Sequence, residues 1–600
     1  MKKIVFILMV LFATVCAQAS AQVKEGVTLS GQPTGQPPFP VLSYKELPNP
    51  KTVDPNQWKA AKTILIGWGS TDIRYPKEVP SVAVSKSVEL VAWKGERVAA
   101  QLVVSTKSPL RHLNYQVGEP INGNQKIGRN NLFSGFVRYV MTDELNKDRQ
   151  GGCGARPNAA AFDSSLVADP IDHLSAEIEM KVNSTQGIWI RVWVPRDIKA
   201  GVYSTNVTVR DSSRVLAVLP LRVRVLPRTL PAPSDWTFHL DLWQNPYAVA
   251  RYYGVKLWSK EHFDCIKPLI QLYHDAGGKV ITTSIIHKPW NGQTYDYYNS
   301  MITWIKKMDG SWTYDYSVFD RWVEFMMSMG INKEINCYTM IPWKLSFQYF
   351  DQATNTMKVV VAHPGDEEYE ALWLPFLRDF ASHLKAKEWF PITCISMDER
   401  PMDVMQKVIS IIHKADKDFK ISLAGALHSE LSDDLYDYCV ALRMKYTDEQ
   451  IQRRKAHSQI TSFYTSCEEP HPNFFTFSSP AEAEWMGWYA AKAGLDGYLR
   501  WSLFHWVKEP LLDSRFYTWA AGDTYMLYPG ARTSIRFERL VSGIQSYEKV
   551  RILREEFVKN HRSASLKKID NVLRQFDEMN LYKQPAYSVV KAANKVINGL

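Results

Sequence analysis

Several kinds of site are missing from this chain of 600 residues. Its 7 cysteines include no C-x-x-C pair, and no H-x-H or H-E-x-x-H spacing occurs. Neither a zinc cluster nor a disulfide scaffold is therefore indicated, and a catalytic metal is not expected. No glycine-rich phosphate fingerprint follows any apparent strand, so a dinucleotide cofactor is not indicated, and no other cofactor is. Beyond the first fifteen residues no apolar run approaches the ~18 residues of a transmembrane helix. Basic residues outnumber acidic ones, for a formal net charge of +10. They are dispersed, with no basic block interleaved with aromatics, so nucleic acid is not an expected partner. An anionic glycan remains compatible with that charge.

Aromatic residues, by contrast, are plentiful, with 20 Trp and 29 Tyr. Flat amphipathic rings suit both large cores and ligand platforms. At the N-terminus Lys2 and Lys3 precede the apolar run Ile4 to Val15, and Ala19-Ser20-Ala21 gives a small-x-small cleavage site. Residues 1–21 thus read as a secretory leader and the protein as secreted or periplasmic. Cys16 offers a lipoprotein alternative, but Val15 before it is a poor match to such sites. Residues 22–61 form a Pro/Gly-rich lead.

From 62 to 228 short alternating runs with Pro and Gly punctuation predict an antiparallel β-sandwich. "SKSVELVAWKGERVAAQLVVS" carries two strands around the turn at Lys94-Gly95. The Pro-rich hinge "PRTLPAPSDW" then changes the texture. Between 229 and 550 apolar strand candidates alternate with helical stretches, at 236–243, 279–287, 334–341, 391–397, 420–426, 437–443, 459–465 and 497–503. Eight such strands, each with a crossover, match a (β/α)8 TIM-like barrel, with a doubly wound sheet as the alternative. Two long intervals, after the second and third strands, contain hairpin-like inserts. Residues 551–600 read as a C-terminal helical segment. The fold class is therefore multidomain: an N-terminal β-sandwich, a barrel and C-terminal helices.

Catalytic groups in such a barrel project from the strand ends. The first strand offers His239, Asp241, Trp243 and Asn245; the second, His287 and Trp290; the third, Tyr338 and Trp343. The fifth offers His428, the seventh Tyr464, and the eighth Tyr498, Arg500, Trp501 and Trp506. This aromatic, polar collection suits a sugar: rings cover the apolar face of a pyranose and polar tips meet its hydroxyls. The fourth strand ends in "CISMDERP", which places Asp398 and Glu399 side by side. The bland reading of that pair is a helix start ahead of Pro401, since "MDVMQKVISIIHKA" continues as an amphipathic helix. A second adjacent pair, Glu468-Glu469, reads as a solvated loop.

The catalytic reading is constrained by geometry. An ordinary retaining glycosidase brackets the sugar with carboxyl groups about 5–5.5 Å apart on opposite faces. Neighbouring residues, with α-carbons about 3.8 Å apart, cannot readily do so. They can serve a substrate that brings its own nucleophile. A 2-acetamido group attacks the anomeric carbon to give an oxazoline, one carboxylate orients the acetamido nitrogen, and the other protonates the leaving oxygen. An ionised Asp398 would also raise the proton affinity of Glu399, as a general acid requires.

The chain resembles glycoside hydrolase family 123, the exported β-N-acetylgalactosaminidases. The resemblance rests on "SMDERP", on "WVPRDIKAGVYSTNVTV" in the sandwich, on "FERLVSGIQSYEKVRIL" after the barrel, and on the order of the three parts. It implies a glycoside hydrolase acting on a glycan or glycolipid with a terminal β-linked GalNAc. It further implies that Asp398 is the acetamido-orienting stabiliser and Glu399 the acid/base. A β-N-acetylglucosaminidase or another barrel glycosidase is the alternative enzyme. A non-catalytic glycan-binding surface protein is the alternative outside enzymes.

Overall fold

The computed structural model describes residues 44–51, 53–81, 84–143, 164–516 and 519–600. The segment 1–21 expected to be a leader, Cys16, most of the Pro/Gly-rich lead and Cys153 lie outside the described residues.

The described strands between Ile64 and Thr229 form two facing sheets. The burial alternation along Arg214–Thr229 shows why they pack. Leu219, Leu221, Val223 and Val225 are buried, whereas Arg222 and Arg224 between them face solvent. Its sheet runs Val88–Lys94, Arg214–Thr229, Gly201–Asp211, Leu110–Val117, Ile178–Met180. The other runs Ile64–Gly69, Arg97–Thr106, Ser184–Trp193, Leu132–Thr142, Ser165–Asp172, with Thr533–Ser534 from beyond the barrel added at its edge. The two strands flanking Lys94-Gly95 therefore enter different sheets and do not form a hairpin. Gly95 turns the chain at φ +82°, in the left-handed region that glycine tolerates. The sheet containing Ser184–Trp193 is buried on both faces, because its outer face meets the second domain.

That domain is a parallel barrel. Its strands are β1 (His239–Leu242), β2 (Val280–Ser284), β3 (Glu334–Tyr338), β4 (Thr393–Met397), β5 (Lys420–Gly425), β6 (Asp437–Ala441), β7 (Ile460–Tyr464) and β8 (Gly497–Arg500). Each falls within its predicted window. They hydrogen-bond in the order β1-β8-β7-β6-β5-β4-β3-β2. Between β1 and β2 only the bridge Leu240–Gly278 forms, so the barrel is nearly closed. Gly497 is obligatory at the β1–β8 contact, since a Cβ there would lie 1.8 Å from the His239 carbonyl oxygen.

The two predicted hairpins exist, at Thr303–Lys306/Trp312–Asp315 and Ser346–Asp351/Thr356–Val361, and they merge into one four-stranded sheet. Trp304 anchors that sheet by stacking on Phe376 (4.3 Å between centroids) of the helix Glu367–Ala386.

The helix Ile535–Lys559 joins barrel to sandwich. It crosses the helix Pro480–Ala493 at a glycine pair, where a Cβ on Gly487 would sit 2.0 Å from the Gly543 carbonyl oxygen. Its buried charges reach the sandwich: Arg536 to Asp169 (2.9 Å), Glu538 to Arg191 (2.8 Å) and Lys549 to Glu96 (2.5 Å). Gln545 exchanges two hydrogen bonds with the Arg97 backbone (2.7 and 2.9 Å). Buried charges need partners of this kind. The segment "FERLVSGIQSYEKVRIL" is thus an interdomain bracket. Among the described residues no helix is long and apolar enough to cross a membrane.

Candidate active site

Strand β4 is buried along its whole length and delivers Asp398 and Glu399 to the C-terminal rim of the barrel. The helix Met402–Ala415 begins one turn later with Pro401 as its N-cap, and no side chain caps it. The two acids are therefore not spent on the helix start. Gly425, at the end of β5, makes room for them: a Cβ there would lie 3.2 Å from the Glu399 α-carbon.

Each acid has its own donors. Asp398 accepts the Glu399 backbone N–H on Oδ1 (2.8 Å) and the Trp343 indole N–H on Oδ2 (3.2 Å). Arg400 stacks over the Trp343 ring at 4.4 Å and donates to the Ile341 carbonyl (2.9 Å), which fixes the indole against Asp398. Glu399 accepts the Tyr464 hydroxyl on Oε1 (2.6 Å). Burial pushes the Asp398 carboxyl above its ordinary value, against the pull of Arg400, the Glu399 N–H and the indoles of Trp343 and Trp290. Glu399 is also raised, first by burial and then by the Asp398 charge, with Tyr464, Arg443 and Arg400 opposing. Several groups favour the Asp398 anion, and that anion in turn favours a proton on Glu399.

The pair forms one wall of a cavity of about 280 Å³. Trp243 and Trp290 form its floor, 4.9 Å apart, with Tyr338 packed on both at 4.6 and 5.0 Å. Trp501 and Trp519 meet edge-to-face at 5.7 Å on another side. Their indole N–H groups donate to Asp523 Oδ1 (3.3 Å) and the Gln293 carbonyl (2.9 Å). Tyr464, Thr465, Ser466 and Cys467 complete a polar edge, and Cys467 is disulfide-bonded.

The other sequence-derived candidates fall elsewhere. Trp243, Trp290, Trp343, Tyr464 and Trp501 line the cavity with the acid pair. Tyr338 lies under the floor. Asp241 lies one layer deeper, where it accepts the Trp243 indole N–H at 3.2 Å. His239 begins β1 and so sits at the opposite end of the barrel, 3.4 Å from Asp437. Asn245 is spent as the N-cap of the helix Pro246–Tyr253. Tyr498 and Arg500 are buried supports: the Tyr498 hydroxyl meets Thr465 Oγ1 (2.6 Å), and Arg500 donates to the Thr465 carbonyl and to Asn473 Oδ1 (2.8 Å each). Trp506 is wholly buried and donates to the Leu527 carbonyl (2.7 Å). His287 and His428 do not line the cavity.

The solvated reading of Glu468-Glu469 is corrected for Glu469. It is buried and accepts the Ser466 N–H (2.7 Å), shaping the loop beside Cys467, while Glu468 pairs with Arg443. Gln293 and Trp519 were not among the sequence candidates. The tryptophan-rich stretch after β8 was the signal for Trp519, which stands 19 residues beyond Arg500.

The glycoside hydrolase 123 catalytic domain matches residues 243–553, and the glycoside hydrolase 123 N-terminal domain matches residues 68–211. Among solved structures, the chain is similar to a family 123 glycoside hydrolase from Clostridium perfringens, analysed for glycolipid glycan hydrolysis. The identity is 27%, covering 90% of this chain and 97% of that one, with a TM-score of 0.79. A family 39 glycoside hydrolase from the gut symbiont Bacteroides cellulosilyticus WH2 is far more remote. It shows 10% identity over 76% of this chain and 82% of that one, with a TM-score of 0.31. No curated protein matches the sequence.

Proposed function

The chain belongs to glycoside hydrolase family 123, and from that premise we propose a retaining exo-β-N-acetylgalactosaminidase that uses its substrate's own acetamido group. The reading rests on one observation: Asp398 and Glu399 are adjacent, share one wall of the cavity, and carry different donors. No second carboxylate lines the facing wall among the described residues, so a two-sided carboxylate mechanism has no partner there.

In this proposal the terminal sugar rests on the Trp243/Trp290 floor. Asp398, whose anion Arg400, the Glu399 N–H and Trp343 favour against its burial, receives the acetamido N–H. It thereby aims the carbonyl oxygen at the anomeric carbon and balances the charge of the oxazolinium. Glu399 gives its proton to the glycosidic oxygen as the bond breaks. It then takes a proton from the water that opens the oxazoline, returning the β-anomer. Two inversions at one carbon give net retention. The cavity falls just below the roughly 300–1,000 Å³ usual for small-molecule sites, which favours removal of one terminal sugar. The glycolipid glycan hydrolysis attributed to the Clostridium relative supports a glycan or glycolipid substrate. The leader at residues 1–21 would deliver the enzyme outside the cytoplasm.

A galacto-configured thiazoline, an isostere of the oxazoline, tests the scheme. Competitive inhibition at least ~100-fold tighter than substrate binding is expected of a transition-state mimic. Absence of inhibition would remove substrate assistance.

A further inference from the structure

The end of the barrel away from the acid pair holds a second cluster. His239 opens β1, Glu334 opens β3 and Asp437 opens β6. One ligand-type atom of each lies within 4.8 Å of those of the other two. Their exposures are 7%, 1% and 3%. Despite that burial, both carboxylate oxygens of Glu334, Oδ1 of Asp437 and Nε2 of His239 have no hydrogen-bond partner, and neither does Oδ1 of the nearby Asp241. His239 Nε2 lies 3.4 Å from Asp437 Oδ2, an ion pair when the imidazole is protonated. Buried polar atoms are normally satisfied, and unpaired buried carboxylates are costly.

Three carboxylates and one imidazole leave an excess of negative charge even when the imidazole is protonated. No lysine or arginine forms an ion pair with Glu334, Asp437 or Asp241 among the described residues. Lys279, beside the β2 start, turns away and donates to the Ser234 carbonyl (3.1 Å). A proton shared by Glu334 and Asp437 would satisfy one oxygen of each and leave the second Glu334 oxygen orphaned. A cation among the three side chains would satisfy an atom of each at once.

We propose that His239, Glu334 and Asp437 bind one divalent transition-metal ion, of the Zn²⁺ or Mn²⁺ class, as a structural brace of the barrel. One imidazole with carboxylates is a donor set for borderline metals rather than for Ca²⁺ or Mg²⁺, which take oxygen alone. The placement gives the ion a mechanical task. The β1–β2 seam has one backbone bridge, Leu240–Gly278, supplemented by the Tyr273 hydroxyl and the Gln244 side chain, and the ion ties β1 to β3 across it and to β6 on the far side. It lies about 15 Å or more from Asp398, given about 3.3 Å of rise per strand residue. It therefore acts on stability and not on the bond being broken.

The test uses the full chain, purified without a metal-affinity tag. Elemental analysis should find one equivalent of a transition metal per chain. Stripping with dipicolinate should lower Tm by roughly 5–10 °C, the range expected when a tight native-state ligand is lost. Added Zn²⁺ or Mn²⁺, but not Ca²⁺ or Mg²⁺, should restore it. Glu334→Gln should lose both the ion and the Tm response. Should that variant not fold, stripping and re-addition on the unmodified chain decide alone. Metal below a tenth of an equivalent, with Tm indifferent to added Zn²⁺ and Mn²⁺, would overturn the proposal. So would undiminished uptake by a folded Glu334→Gln, or a response to Ca²⁺ alone. A Tm governed only by pH would assign the cluster to a shared proton instead.

Discussion

The two ends of this barrel both crowd carboxylates, and they treat them in opposite ways. At the C-terminal rim, Asp398 and Glu399 are neighbours in sequence and are met by an N–H, an indole and a phenol. They face a cavity. At the N-terminal end, Glu334 and Asp437 come from strands a hundred residues apart in sequence, and oxygens of both stay unpartnered in a sealed interior. Burial lifts Glu334 well above the ordinary range, with Asp437 reinforcing it. His239 is raised to about 9 because its surrounding carboxylates outweigh its burial. Crowded acids alone thus do not identify an active site. The catalytic proposal for the C-terminal rim rests instead on donors that distinguish the two acids and on a cavity beside them.

Glu399→Gln should have the largest effect at the C-terminal rim. On a substrate with an unactivated leaving group, kcat/KM should fall by ~10³–10⁴, the upper part of the range for a general acid. Steady-state kinetics on a β-GalNAc disaccharide would show it, and a loss under tenfold would refute the role. Asp398→Asn should cost ~10²–10³ through lost charge stabilisation. Unlike Glu399→Gln, it should slow aryl glycosides with good leaving groups just as much.

Tyr464→Phe sharpens the assignment of the proton. Its hydroxyl stabilises the Glu399 anion, so removing it should raise the Glu399 value further and move the alkaline limb of the kcat/KM–pH profile upward. The rate cost should be about tenfold or less, on the scale of one hydrogen bond. A limb that moves downward would contradict the hydrogen-bond direction.

The smallest effect concerns stability. Asp398 is raised in the folded protein, so its contribution is fully present below its unfolded value and lost as pH rises through the folded one. Asp398→Asn should therefore raise Tm by ~1–3 °C near pH 8. The gain should vanish below about pH 3, under the unfolded value of about 3.9, where the acid is protonated in both states. Thermal melts across that range would check the sign.

Much of this architecture was legible in the sequence. All eight barrel strands lie inside continuous apolar windows, because a parallel strand buried on both faces leaves an unbroken signature. The acid pair was legible because its adjacency needs no tertiary information. What failed was the direction of individual side chains. His239 opens its strand rather than ending it, and only the hydrogen-bonded register reveals that. Asn245 and Arg500 are polar groups at strand ends, yet their partners, the Tyr247 and Ala248 N–H groups, the Thr465 carbonyl and Asn473, are fixed by the folded loops. Trp519 escaped because the stretch after β8 is irregular and carries no periodicity to place it. The bracket helix was legible as a helix, but its charged residues found meaning only beside Asp169, Arg191 and Glu96.

The most direct test of the central claim compares two aryl β-galactosides that differ only in a 2-acetamido or a 2-hydroxyl group. If the substrate supplies the nucleophile, kcat/KM should favour the acetamido compound by ~10⁴ or more, since the lost intramolecular attack is worth several orders of magnitude. Comparable turnover of the two would rule out substrate assistance, because Asp398 and Glu399 would then have to act without the acetamido group.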